Sequence, residues 1–428
     1  MENNINDEKD QLIKEFFDEE DKKIKGSYDS SFYLEKINKL YEFREKNKYI
    51  NFISIDEFDT IYEFAITKGG FLTSKDRRFF YPIICGINKS NVHDYVYIDE
   101  NENHDWSNDL LRINAFYIRN RDDNRVGSPD EKIINLDVLR SKITFILQEA
   151  KCGTKYGDRL PIIDRAIKIS LEKFIVNMTS LNNHIYTYYQ GYHDLGLYFL
   201  LLFNDDKSTG TSIFQHFSEF ILKENLQSKE NLNTEIFPMV NTLKILKEII
   251  EIINPNIQNF INKVMNEGLS TFATPWILSL FTHCISSTKT VYRLLDYFII
   301  THPLSVYIIS ALIIIDEILR INTTNGNVES IGTECDLFKY FNSFDMDSID
   351  YDYYIEKAEK IKKQFKDEFD DLRKKLRQMK MKNYYPLVVT ESYIKKWIMY
   401  NNKDEINTSL NWFLKKGKNY FFELFDKS

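Results

Sequence analysis

Gln190 stands in the run Tyr188-Tyr189-Gln190-Gly191-Tyr192-His193-Asp194, directly before the apolar stretch from Leu195 to Phe203. A carboxamide can accept a hydrogen bond from water while donating elsewhere, so a glutamine held in a rigid turn can orient a water for attack. Gly191 lets the backbone pass close to whatever docks there. Asp194 is the residue type that caps a following helix, and a cap at that point would fix the turn that presents Gln190.

His193 and Asp194 also admit a metal or acid–base reading. They are adjacent in sequence and have no third ligand at a useful spacing, so the pattern predicts no metal and reads His193 as a hydrogen-bonded structural residue beside the turn. Cys85, Cys152, Cys284 and Cys335 are far apart with no C-x-x-C pair, which suits reduced thiols in the cytoplasm. No G-x-x-x-x-G-K-[ST] loop exists, so the chain does not read as a nucleotide hydrolase in its own right.

Tyr188-x-Gln190-Gly191 resembles the Y-x-Q-G signature of the TBC domain, the helical GTPase-activating module for Rab-type GTPases. The longer Y-Y-Q-G-Y-H-D form is similar to one branch of that family. Gly69 to Pro82 is similar to the family's opening Arg-x-x-Trp segment, Tyr81 standing for the tryptophan. Thr271 to Phe281 and Val291 to Leu304 are similar to later helices of the same branch. The resemblance implies an all-α fold of two helical subdomains over residues 68–320. It implies a Rab-type small GTPase of vesicle and membrane traffic as partner, at the cytosolic face of the endoplasmic reticulum and Golgi. It further implies that Gln190 acts in trans on GTP and Mg²⁺ brought by that partner, with no cofactor in this chain and no covalent step of its own. Tyr188, Gly191 and Ile169 are the expected GTPase-binding residues, and Asp194, His193 and Arg77 the expected supports.

Family members carry I-x-x-D-x-x-R on the helix before Y-x-Q-G, and its arginine enters the GTPase site. The stretch from Leu160 to Phe174 places Ile169 or Ile167 at that position, depending on the register, and no arginine in either. Arg165 and Lys168 are the nearby cations. Such an arginine is worth 10³ to 10⁵ in rate, or roughly 4–7 kcal/mol of barrier, so the expectation is weak activation. The alternative is a catalytically inactive scaffold that grips a GTPase or an adaptor.

The elements that must position these residues follow from composition and period. With 14 Gly and 8 Pro in 428 residues, about half the usual share or less, the chain favours long helices. Apolar residues at 160, 163, 167, 171, 174 and 178 make one buried stripe on the helix before Tyr188. Val306 to Ile315 reads as a buried helix too short to span a bilayer, so membrane association would come through a partner. The net charge of −8 with no basic arm argues against nucleic acid. Residues 1–30 are charge-dense and predicted to be disordered, and residues 31–67 form a helical hairpin. Residues 333–428 form a C-terminal helical extension that includes one charged helix from Ile355 to Met381.

Overall fold

In the computed structural model, residues 3–27, 31–47, 55–85, 130–141, 159–184, 188–222, 238–324 and 333–378 are described, together with 143 and 146. Every regular element among them is helical. The N-terminal helices are α1 (Asn3–Ser27), α2 (Ser31–Lys46), α3 (Ile55–Ile66) and α4 (Ser74–Ile84). Next come α5 (Glu131–Leu139), α6 (Leu160–His184), α7 (Tyr192–Leu202) and α8 (Lys207–Phe220). The second half holds α9 (Pro238–Ile253), α10 (Pro255–Val264), α11 (Thr274–Leu278), α12 (Thr288–Phe298) and α13 (Leu304–Thr324), then α14 (Glu334–Asn342), α15 (Tyr351–Gln364) and α16 (Lys366–Gln378).

Two groups of helices share one core. In the first, α6 and α8 pack on α7, and α5 and α1 pack on α6. Helix α7 is apolar on all sides and every residue of it is buried, as such a sequence requires. Gly196 permits the close approach of α6, since a Cβ there would stand 2.6 Å from Ile175 Cδ1. The α6 stripe Leu160, Ile163, Ile167, Leu171, Phe174 and Met178 is buried throughout. In the second group, α9, α11 and α15 pack on α13, whose residues Val306 to Ile315 are all buried.

The segment 1–30 is not the disordered stretch expected from its charge. Residues 3–27 form α1, because Leu12, Ile13, Phe16 and Phe17 fall on one helical face and are all buried. Phe17 meets Tyr292 at a ring-centroid distance of 5.9 Å. Asp21 accepts from the backbone nitrogen and the hydroxyl of Ser74, both at 2.9 Å, which secures the first turn of α4.

Buried charges join the halves. Asp296 of α12 is inaccessible and takes two bonds from Arg77, Nε to Oδ1 at 2.9 Å and Nη2 to Oδ2 at 3.0 Å. The Tyr81 hydroxyl donates to Oδ1 at 2.7 Å, and the Arg77 guanidinium lies 5.1 Å from the Tyr292 ring centroid. Arg293 binds Asp352 of α15 through Nε at 2.5 Å. It sits three positions from Asp296 on α12 and faces the end of α3, donating to the carbonyls of Ala65, Ile66 and Thr67. Lys36 donates to the carbonyls of Phe64, Thr67 and Lys68. Two cations thus satisfy the orphan carbonyls at that helix terminus, and burial, with Arg293 adding to it, pushes Lys36 down to about 7.

The C-terminal helices pack into the core. Phe341 of α14 stacks on Phe272 at 4.1 Å and 7°, and Glu359 of α15 accepts from Tyr62 at 2.9 Å and Tyr297 at 2.7 Å. The single helix expected from Ile355 to Met381 breaks at Phe365, which has φ −108 and ψ 38 and separates α15 from α16. Leu372 and Phe369 remain buried after the break, so the apolar positions turn back onto the body. The remainder of the expected extension, 379–428, lies outside the described residues.

Candidate functional site

The turn that carries Gln190 is tied down on both sides. The Tyr188 backbone nitrogen donates to Asp130 Oδ2 at 2.9 Å, and the Tyr189 hydroxyl donates to the Leu278 carbonyl at 2.8 Å. Gly191 has φ 101 and its missing Cβ would face Ser279 Cβ at 3.5 Å, so the turn takes a left-handed step that an L side chain rarely adopts. Between these anchors Gln190 is exposed. The carboxamide is therefore displayed on a constrained backbone.

Asp194 does not cap α7. That helix begins at Tyr192 with Gly191 at its cap position and no side-chain cap bond. Asp194 lies in the first turn of α7 and reaches across the fold, with Oδ2 2.7 Å from His283 Nδ1 and Oδ1 3.3 Å from His193 Nε2. His283 is brought there by the segment after α11, where Leu280 and Phe281 hold φ of 49 and 68 while buried. Bulky residues in that region are strained, and the strain sits against the Gln190 turn.

His193 completes a chain toward α5. Its Nδ1 is 2.7 Å from the Tyr188 hydroxyl, which itself donates to Asp137 Oδ2 at 2.9 Å. The hydroxyl has one proton, so with that proton on Asp137 the imidazole donates through Nδ1. Burial pushes His193 down, against the pull of Asp194 and Asp137 in the other direction. Burial, and Asp137 after it, pushes Tyr188 well up, so the phenol stays protonated.

Asp137 is buried, and its other oxygen holds Arg140. Arg140 caps the C-terminus of α5, its side chain is 69 % exposed, and its Nε donates to the Leu136 carbonyl at 3.1 Å. The contacts Arg140–Asp137–Tyr188 bring this guanidinium to the turn of Gln190. The expectation that no arginine accompanies Gln190 therefore fails. Ile134-x-x-Asp137-x-x-Arg140 reproduces the I-x-x-D-x-x-R spacing, upstream of the helix where that spacing was sought. The signal was in the sequence; its place was hidden because α6 intervenes between motif and turn.

The other expected residues divide. Lys168 is paired with Asp164 at 3.0 Å, and Arg165 is exposed near the start of α6. At 1.5 Å of rise per residue, Arg165 is roughly 28 Å along the axis from His184. Ile169 is half-buried in the same early part of α6. Tyr188 and Gly191 are buried and shape the turn from beneath, so their side of it offers no surface to a partner. Arg77 is the buried partner of Asp296 described above. Among the described residues no group of three or more His, Cys, Asp or Glu could hold a metal ion; His283 Nδ1 is hydrogen-bonded to Asp194, and His193 Nε2 lies 3.3 Å from the same carboxylate.

The profile of the Rab-GTPase-TBC domain family matches residues 75–321. The chain is 27 % identical over 251 residues to TBC1 domain family member 20 of Bos taurus and to that of Homo sapiens, covering 59 % of this chain and 51 % of each relative. It is 28 % identical over 129 residues to GTPase-activating protein gyp10 of Schizosaccharomyces pombe, covering 30 % of this chain and 32 % of the relative. The chain thus spans about half the length of the first two relatives.

Proposed function

Since the chain belongs to the Rab-GTPase-TBC domain family, we propose that it accelerates GTP hydrolysis by a Rab-type small GTPase, using Gln190 and Arg140 together. The observation that carries this reading is the buried link from Asp137 to Tyr188, which ties the turn of the exposed Gln190 carboxamide to the carboxylate that holds the exposed Arg140 guanidinium.

Slow GTPases leave two needs unmet: the attacking water is loosely held, and charge on the transferred phosphoryl group is poorly compensated. Gln190 accepts from the water while its amide group donates elsewhere. Arg140 supplies a planar, permanently charged fork to the phosphate oxygens. In this structure the guanidinium rests on Asp137 and the Leu136 carbonyl, and it exchanges those bonds for phosphate when the partner arrives. GTP and Mg²⁺ come with the partner, and no bond is made or broken within this chain.

The scaffold reading rested on a missing arginine, and Arg140 removes that ground. Likeness of the Tyr188–Asp194 run to one family branch supports a partner in traffic between endoplasmic reticulum and Golgi. Among the described residues no helix is long and apolar enough to cross a membrane, and we assign peripheral membrane contact to the GTPase. Single-turnover hydrolysis with a panel of GTP-loaded Rab-type GTPases tests the proposal. Arg140→Ala is expected to cost 10³- to 10⁵-fold in the accelerated rate, and Gln190→Ala is expected to lower it too. Saturable binding with no change in hydrolysis rate would return the scaffold.

A further inference from the structure

Helix α5 has two opposed stripes. Ile134, Asp137, Val138 and, just past the end, Ser141 are buried, the spacing of one helical face. Ile133, Leu136 and Leu139 are exposed to 53, 58 and 56 %. Arg140 is seven residues from Ile133 and four from Leu136, so it continues the same stripe. Scattered exposed aliphatics need no explanation. Here, of ten exposed large hydrophobics among the described residues, three fall on this one nine-residue helix.

We propose that Ile133, Leu136 and Leu139 form the docking rail for the GTPase, receiving an apolar strip of its surface beside the bound triphosphate. The inference rests on the assignment of Arg140 above and names the surface that delivers it. A partner that takes Arg140 must lie over the outer face of α5, because Arg140 caps that helix and its Nε already lies over the Leu136 carbonyl. The rail holds no acidic side chain to repel a phosphate-bearing partner. Exposed Lys132, four residues before Leu136 and seven before Leu139, shares this face, so the strip is aliphatic with a cation at either end, and arginine is the ion favoured at interface centres. The rail contributes binding and Arg140 contributes chemistry, so the two separate kinetically.

The test uses the full chain and the Rab-type GTPase that it accelerates most in the panel. For Ile133→Ser/Leu136→Ser/Leu139→Ser, KM for the GTP-loaded GTPase is expected to rise about tenfold or more, with kcat within about twofold. Arg140→Ala should show the opposite split. Leu136→Ser alone, measured beside it, should show the same split in smaller measure and guards against a folding defect in the triple variant. Binding to the same GTPase loaded with a non-hydrolysable GTP analogue should weaken in parallel. An unchanged KM in both variants overturns the rail while leaving Arg140 in place, as does loss of self-association by the triple variant, which would assign the strip to a second copy of this chain. If the parent protein accelerates no GTPase in the panel, the activator reading fails and the rail fails with it.

Discussion

Tyr188 Oη lies 2.9 Å from Asp137 Oδ2, and Asp137 is the carboxylate on which the Arg140 guanidinium rests. The residue two before Gln190 is therefore bonded to the residue three before Arg140. Carboxamide and guanidinium come from elements far apart in sequence, and this buried hydroxyl, with the Tyr188 nitrogen on Asp130, ties the turn of one to the helix of the other. Removing it should disturb both.

Tyr188→Phe keeps the ring and deletes that hydroxyl. Buried Asp137 and His193 each lose a partner, which costs about 1–3 kcal/mol, measured as a fall in ΔG of urea unfolding. On the reading that Gln190 and Arg140 act together, their misplacement lowers kcat of the stimulated reaction by up to about 10²-fold, with KM little changed. A normal kcat would show that the link is not needed for positioning.

Gly191→Ala forces an L side chain to φ 101. The expected cost is about 1–2 kcal/mol, seen as a lower Tm, and stimulated hydrolysis should fall with it because the turn aims Gln190. A variant as stable and active as the parent would mean that the turn adapts.

Arg77→Met leaves Asp296 buried without its cation. Breaking such a pair costs about 3–5 kcal/mol, and Arg77→Lys should recover little, because two Arg77 nitrogens bind the two carboxylate oxygens. Pairing Arg77→Met with Asp296→Leu should restore part of the loss. Denaturant unfolding of the three proteins decides the matter.

Stability should decline on mild acidification through His193. Burial holds its folded pKa below the usual value, while the unfolded imidazole takes a proton near pH ~6.5. The unfolded state then binds more protons, so the contribution is complete above about pH 6.5 and is lost as pH falls toward the folded pKa. His193→Gln should flatten the slope of Tm against pH between about 7 and 5 relative to the parent. An identical slope in both would exclude His193 as its source.

Much of the frame is legible in the residues. The six-residue stripe of α6 and the run from Val306 to Ile315 are buried as their periods predict, and Gln190 is exposed. Three features escape because they depend on tertiary contact. Arg140 joins Gln190 only after α6 folds between them, so spacing measured along the chain points to the wrong helix. Leu12, Ile13, Phe16 and Phe17 are too few to outweigh the surrounding charge in a compositional reading, and they become a helical face only against α6 and α12. Arg293 and Asp296 have the spacing of a pair on one helix, but α4 claims the acid and α15 the base.

Asp352 gives the chain a boundary problem. It binds Arg293 and also accepts from the Gly69 nitrogen at 3.1 and 3.2 Å, so it clamps a residue inside the matched span 75–321 to one before it, from a helix after it. A fragment trimmed to 75–321 would strip Arg293 of Asp352 and of the α3 carbonyls together, and deprive the Tyr297 hydroxyl of Glu359. The segment shared by descent is thus smaller than the body that folds, and a truncation meant to isolate activity has to keep the flanking helices from both sides.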